Sequence, residues 1–190
     1  MPMTTIATPR LTLRSLRHDD LASLASAVNN PRVARNLLRV PWPYRLDDAR
    51  IFYDHTQALP PGSASFAIIT HAAPAIIAGM VGYEFDGCRT EFGYWLAEPL
   101  WARGYMREAA GAVLAYGFAQ MRLDRLFSRC AIDNEASHRL LVGFGFRPTG
   151  TNRIFSPVRR SDILTQTFEL TAREWSLLPN RSGRAKTPTP

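Results

Sequence analysis

The sequence predicts an α/β (α+β) fold, a mixed, mostly antiparallel central sheet of about seven strands flanked by helices. Three observations carry that reading. At 190 residues, 46% of them hydrophobic, the chain is long enough for one domain with a full core and short for two. Between Ser65 and Leu96 apolar residues follow strand periodicity, cut by the turn signals Ala72-Ala73-Pro74 and Asp86-Gly87, as in an antiparallel meander. Between Thr90 and Phe144 the pattern becomes strand, loop, helix, strand, loop, helix, which puts two helix N-termini at one end of a sheet.

Taken in order, Arg10-Leu11-Thr12-Leu13-Arg14 alternates as a half-buried strand. Asp19 or Asp20 caps a helix carrying Leu21, Leu24, Ala25 and Val28; Asn29-Asn30-Pro31 ends it, and Pro31 opens a short helical piece through Val33 and Leu37. The prolines of Val40-Pro41-Trp42-Pro43-Tyr44 force an extended loop whose aromatics either line a pocket or cover the core. Asp47-Asp48 start another helix, with Ala49, Phe52 and Tyr53 inward. Strands are expected at Ser65 to Thr70, Ile76 to Phe85 and Thr90 to Leu96, then a helix from about Gly104 to Gln120 and a strand from Arg125 to Ala131. A helix from Glu135 to Phe144 closes at Gly145, which tolerates a left-handed helix end, and strands Arg147 to Ile154 and Ile163 to Leu170 finish the sheet. The domain is expected to span residues 8–178, with 179–190, which lack a large apolar anchor, as a disordered tail.

The longest apolar stretch, Phe66 to Tyr83, is broken by Thr70, His71, Pro74 and Gly79, so no membrane span is expected. Cys88 and Cys130 make no disulfide framework, and Met1 to Pro9 lacks a secretory pattern, so the expected location is cytoplasmic. The net charge of +7 comes from 22 dispersed arginines and Lys186 and favours anionic partners. Nucleic acid is not the expected one, because no nucleic-acid motif appears. His18, His55, His71 and His138 and the two cysteines show no ligand spacing, so no metal is expected. Neither a three-glycine dinucleotide fingerprint nor a Gly-Lys-Ser/Thr phosphate loop is present.

Chemistry is expected between Thr90 and Phe144. Each helix N-terminus there offers unpaired N–H groups and partial positive charge, so anions collect at that end. At the first, Trp101-Ala102-Arg103-Gly104-Tyr105-Met106-Arg107-Glu108-Ala109, Gly104 permits close backbone approach and Arg103 and Arg107 add charge, which suits a pyrophosphate. The second begins Asp133-Asn134-Glu135-Ala136-Ser137, with Asn134 as a natural cap.

These two segments, with Glu91-Phe92-Gly93-Tyr94-Trp95-Leu96 before them and Gly143-Phe144-Gly145-Phe146 after, resemble the RimJ/RimL branch of the GNAT N-acetyltransferases. Thr8-Pro9-Arg10-Leu11-Thr12-Leu13-Arg14 and Asn30-Pro31-Arg32-Val33 resemble it too, so the likeness covers roughly Thr8 to Leu177. It implies acetyl-CoA as acetyl donor, its pyrophosphate on the loop Ala102, Arg103, Gly104, Tyr105, Met106 and Arg107. The pantetheine arm would pair with the strand at Trp95 and Leu96, and Asn134 and Ser137 would lie beside the cofactor. The thioester would sit where the parallel strands Thr90 to Leu96 and Arg125 to Ala131 splay apart. Ala102 stands where relatives commonly have glycine, and Arg107 where they commonly have threonine.

Acetylation needs a neutral amine, a polarised carbonyl and a protonated leaving thiolate. Glu91 is the first choice of base and Glu84 the second, each open to being an ordinary strand charge. A backbone N–H near Leu96 is the expected oxyanion donor. The family pattern makes Ser137 the proton donor to the thiolate, while His138 is expected to be exposed or stacked. The acceptor is expected to be a primary amine attacking directly, on a protein N-terminus as in the ribosomal-protein acetyltransferases of the branch, or on a small molecule. A non-catalytic acyl-CoA- or nucleic-acid-binding regulator is the competing class, and a homodimer is left open.

Overall fold

The computed structural model describes residues 4–178, so the expected tail lies outside the described residues. The strands are β1 (Ile6–Ala7), β2 (Leu11–Arg14), β3 (Ala64–Thr70), β4 (Ile77–Phe85), β5 (Thr90–Leu96), β6 (Arg125–Ala131), β7 (Arg147–Ser156) and β8 (Ser161–Thr171). The helices are α1 (Leu21–Val28), α2 (Pro31–Ala34), α3 (Leu46–Gln57), α4 (Tyr105–Ala119), α5 (Glu135–Gly143) and α6 (Ala172–Leu177). They build one eight-stranded sheet of order β1-β2-β3-β4-β5-β6-β8-β7, antiparallel except where β5 meets β6.

The eighth strand, β1, is too short for its alternation to register and is held by two pairings, Ile6 with Leu13 and Ala7 with Thr12. Helix α6 was also not anticipated, although Thr171 and Glu174 form a reciprocal cap that the sequence carries in plain form.

Two cores follow from strand alternation. Leu11, Leu13, Phe66, Ile68, Phe92, Leu126 and Phe168 pack beneath the small-residue face of α4. On the other face Ala67, Ile69, Ile77 and Met80 meet Leu21, Leu24 and Val28 of α1, with Ala49 of α3 and Tyr44. Tyr44 is buried in this second core, and burial pushes its phenol up to about 12. The loop aromatic that sequence left between two roles takes both, because Tyr44 also borders the central cavity.

Three ties close the α1–α3 layer onto the sheet. Asn30 caps α2 through its side-chain oxygen and donates its Nδ2 to Glu98, which also receives Arg32. Arg14 grips the buried Asp20 through two hydrogen bonds of 2.6 and 2.9 Å. Arg159, from the β7–β8 turn, holds Asp133 through two bonds, while its Nε donates to the carbonyl of Arg35 behind α2.

Candidate active site

The decisive feature lies between β5 and β6. They share a single pairing, Glu91 with Phe127, and beyond it they diverge. The Ser128 hydroxyl donates to the carbonyl of Phe92 at 2.9 Å where a ladder bond would otherwise stand. Ala97 donates its N–H to Ala78 beside β4, whereas the carbonyls of Phe92 and Leu96 accept from Ser128 and from Trp101 Nε1 on the opposite side. Alternation therefore turns the backbone of Phe92, Tyr94 and Leu96 toward the gap. A cavity of about 980 Å³ runs through it, bordered by Glu84, Gly93 and Trp95 on the α1–α3 face and by Tyr94, Gly104 and Ser137 on the α4–α5 face.

On the α4–α5 face, α4 starts at Gly104, whose φ of 78° is left-handed. Ala102, two residues earlier, is also left-handed at φ 59°, a conformation that favours glycine. The loop is braced from β2. Arg10 donates to the carbonyl of Arg103 at 3.0 Å, stacks over Tyr105 at 4.4 Å and pairs with Glu108 at 2.6 Å. Burial pushes the Glu108 carboxyl up, but hydrogen bonds from Thr8 and Arg10 outweigh it and hold the group below the usual carboxylate range. Ala102, Gly104, Tyr105, Met106 and Arg107 border the cavity; Arg103 is exposed and lies off its lining. The Arg107 guanidinium sits 5.8 Å from the Phe144 ring, across from the helix start.

At the second helix start Asn134 accepts from the Ser137 N–H at 3.1 Å, so it is a cap, and it borders the cavity as well. The Ser137 hydroxyl lies 2.7 Å from the Tyr94 hydroxyl. Tyr94 is largely enclosed, and burial pushes its phenol well up, so it stays neutral and able to donate. Burial likewise pushes the neighbouring Cys130 thiol up. His138 stacks edge-on against Phe168 at 5.4 Å.

On the α1–α3 face three layers of the β4–β5 ladder meet the cavity: Glu84 opposite Glu91, Gly82 opposite Gly93, and Met80 opposite Trp95. A Cβ at Gly93 would touch nothing within 4 Å, so the strand itself does not require glycine there. Glu91 is clasped by Arg129, Nε to Oε1 at 2.7 Å and Nη2 to Oε2 at 2.8 Å, and by Arg39 at 3.2 Å. Glu84 instead faces His55, with Nε2 3.0 Å from its carboxylate. Sequence reasoning named the two glutamates but not Tyr94, Arg129, Arg39 or His55. Tyr94 was within reach, since period two puts it on the face opposite Glu91, whereas the arginine partners come from distant segments.

The profile of the acetyltransferase (GNAT) domain matches residues 10–147. The chain belongs to the GNAT acetyltransferase family. As a GNAT enzyme it is an acetyl-CoA-dependent acetyltransferase, and the residues present fit that substrate. A long helix starts at a left-handed glycine, a strand edge lies open beside it, and one cavity joins the two. The chain is 28% identical over 179 residues to the uncharacterized N-acetyltransferase p20 of Bacillus licheniformis, covering 92% of this chain and 99% of that one. Its GNAT fold superposes on spermidine N-acetyltransferase from Vibrio cholerae, solved with CoA and spermine, at TM-score 0.74 and 18% identity, covering 87% and 98% of the two chains. A Vibrio cholerae protein assigned as a ribosomal-protein-serine acetyltransferase superposes at 0.68 and 20% identity, covering 88% and 97%. Among the described residues no group of three His, Cys, Asp or Glu side chains is placed to hold a metal, and no helix is long and apolar enough to cross a membrane.

Proposed function

We propose that this enzyme acetylates the primary α-amine of a small or N-terminal acceptor by direct attack in the gap between β5 and β6, as in the RimJ/RimL branch it resembles. The observation that supports this most is the continuous cavity through that gap, which joins the α4 N-terminus on one face to the carboxylate layer on the other. Neither nearby nucleophile is activated for a covalent relay: burial raises the Cys130 thiol, and Ser137 is hydrogen-bonded to a neutral Tyr94.

In this reading the N–H groups at the start of α4, with Arg107, receive the pyrophosphate, and the pantetheine arm lies along the open edge at Tyr94 and Leu96, since the backbone of Trp95, expected there from sequence, is turned toward β4. The N–H of Leu96 is aimed at the developing oxyanion. Ser137 passes a proton to the leaving thiolate and takes one back from solvent in the open cavity, its hydroxyl held in place by the hydrogen bond with Tyr94. Glu84, backed by His55, takes the proton from the amine through water. Glu91 has both oxygens engaged by guanidinium groups and serves to hold them. An α-amine suits so modest a base, because its unperturbed pKa of roughly 8 leaves a neutral fraction at pH 7.

Thiol release from acetyl-CoA with a panel of amines, together with intact mass of the enzyme, tests this. Acceptor-dependent release with no acetylated enzyme is expected. Stoichiometric acetylation of the enzyme by acetyl-CoA alone would replace direct attack with a relay.

A further inference from the structure

We infer that the acceptor carries a carboxylate on the carbon that bears its amine and an apolar side chain: a free apolar α-amino acid rather than a polyamine or a peptide N-terminus. The inference rests on the acetyl-transfer reading above and concerns the acceptor half of the same cavity.

Charge is the first ground. The acidic groups in that half already have partners. Glu91 lies between Arg129 and Arg39. Glu84 lies against His55, and Asp86 accepts from the N–H groups of Cys88 and Arg89 in its own turn. A polycation would have to displace these partners. The cluster around Glu91 holds two guanidinium groups and one carboxylate, a surplus of one positive charge. Arg129 uses Nε and Nη2 on Glu91, which leaves Nη1 as a donor. The Arg129 side chain is only 13% exposed, so a ligand carboxylate there would be poorly screened.

Position is the second ground. Parallel register sets Arg129 two residues past the Glu91–Phe127 pairing, level along the strands with Gly93, where the gap opens and no Cβ intrudes. An amine passing Gly93 toward the thioester has the Arg129 guanidinium beside it. In an α-amino acid the amine and the carboxylate share one carbon, so one group enters the gap while the other meets the guanidinium. The same guanidinium disfavours the ammonium form of the amine and so promotes the neutral nucleophile.

The remaining wall is apolar. Leu24, Val28, Val33, Phe52, Met80 and Trp95 border this half of the cavity, which suits an aliphatic or aromatic side chain.

The test is thiol release from acetyl-CoA by the full chain with L-phenylalanine, L-methionine and L-leucine, each against its amide and its Gly-extended dipeptide, and with spermidine. For at least one of the three, the free acid is expected to exceed the amide and the dipeptide in kcat/KM by roughly ten- to a hundredfold, the worth of a charge-assisted hydrogen bond. That ratio is expected to fall toward one in Arg129→Gln, chiefly through the acceptor KM. The exposed Arg39→Gln, which leaves the core untouched, is expected to reduce it by a smaller factor. Equal or better turnover of the amides, the dipeptides or spermidine overturns the acceptor class while leaving acetyl transfer standing. Absence of thiol release with every amine overturns both.

Discussion

Glu84 and Glu91 stand directly opposite each other across the β4–β5 ladder, and the protein compensates the two carboxylates by different means. Like charges in register on one face repel. Glu91 is locked by two guanidinium groups, one of them in a bidentate clasp, and Glu84 is met by a neighbouring imidazole. The bidentate clasp takes both oxygens of Glu91, whereas the His55 contact takes one oxygen of Glu84.

Glu84→Gln is expected to lower kcat by about a hundredfold at near-constant acceptor KM, the scale of losing a general base. Glu91→Gln leaves Arg129 without its bidentate partner. Because that pair is partly enclosed rather than deeply buried, we expect a loss of about 2 kcal/mol in stability and a raised acceptor KM. Steady-state kinetics and urea unfolding of both variants check this, and a kcat collapse confined to Glu91→Gln would return the base role to Glu91.

The hydroxyls of Tyr94 and Ser137 lie 2.7 Å apart and are expected to act as one unit. Ser137→Ala and Tyr94→Phe are each expected to lower kcat roughly tenfold or more, and the double variant little further, because coupled groups are not additive. CoA affinity by calorimetry is expected to stay unchanged in all three variants. Independent, multiplying effects would assign the two hydroxyls separate roles.

Positive φ at Ala102 and Gly104 makes the loop ahead of α4 sensitive to a side chain in opposite senses. Gly104→Val is expected to destabilise the fold by about 1–2 kcal/mol and to weaken CoA binding, since a branched Cβ opposes the left-handed backbone and presses on the Arg10 guanidinium that braces the loop. Ala102→Gly is expected to stabilise by up to about 1 kcal/mol, net of the added freedom of the unfolded chain. Thermal melts with CoA titrations read both effects.

Local signals made most of this architecture legible. The meander was visible in its turn residues, α4 and α5 in their spacing, and the end of α5 in Gly145, which does adopt φ 81°. Gly104 marked the start of α4 for the same reason, at φ 78°. What sequence did not show is the pairing of charges across long separations. Nothing local links Glu91 to Arg129, 38 positions away, or Arg10 to Glu108, 98 positions away. Those contacts arise only once β5 and β6 lie side by side and β2 packs beneath α4. Arg103, which charge beside a helix start made a candidate phosphate contact, stands exposed and off the cavity lining.

Stability should fall on both sides of neutrality, for reasons of opposite sign. Burial pushes the Asp20 carboxyl up, but the Arg14 guanidinium and the Arg17 N–H more than reverse this and leave it below its usual value. Asp133, held by Arg159, and Glu108, held by Thr8 and Arg10, are lowered as well. Folded values below unfolded ones mean that the unfolded chain binds protons more tightly. This stabilisation is complete above the ordinary carboxylate range near pH 4 and is lost as pH falls through the lower, folded values. Tyr44, pushed up to about 12, works the other way: its contribution is whole below about pH 10 and is lost as pH rises from there toward 12. The melting temperature is therefore expected to be flat around neutrality, to fall below about pH 4 and to fall again above about pH 10. Asp20→Asn strips the half-buried Arg14 of its carboxylate partner and is expected to cost about 3 kcal/mol at neutral pH while shallowing the acid limb. Melts of both proteins from acid to neutral pH decide it: an acid limb of undiminished slope in Asp20→Asn would show that Asp133 and Glu108 carry it without Asp20.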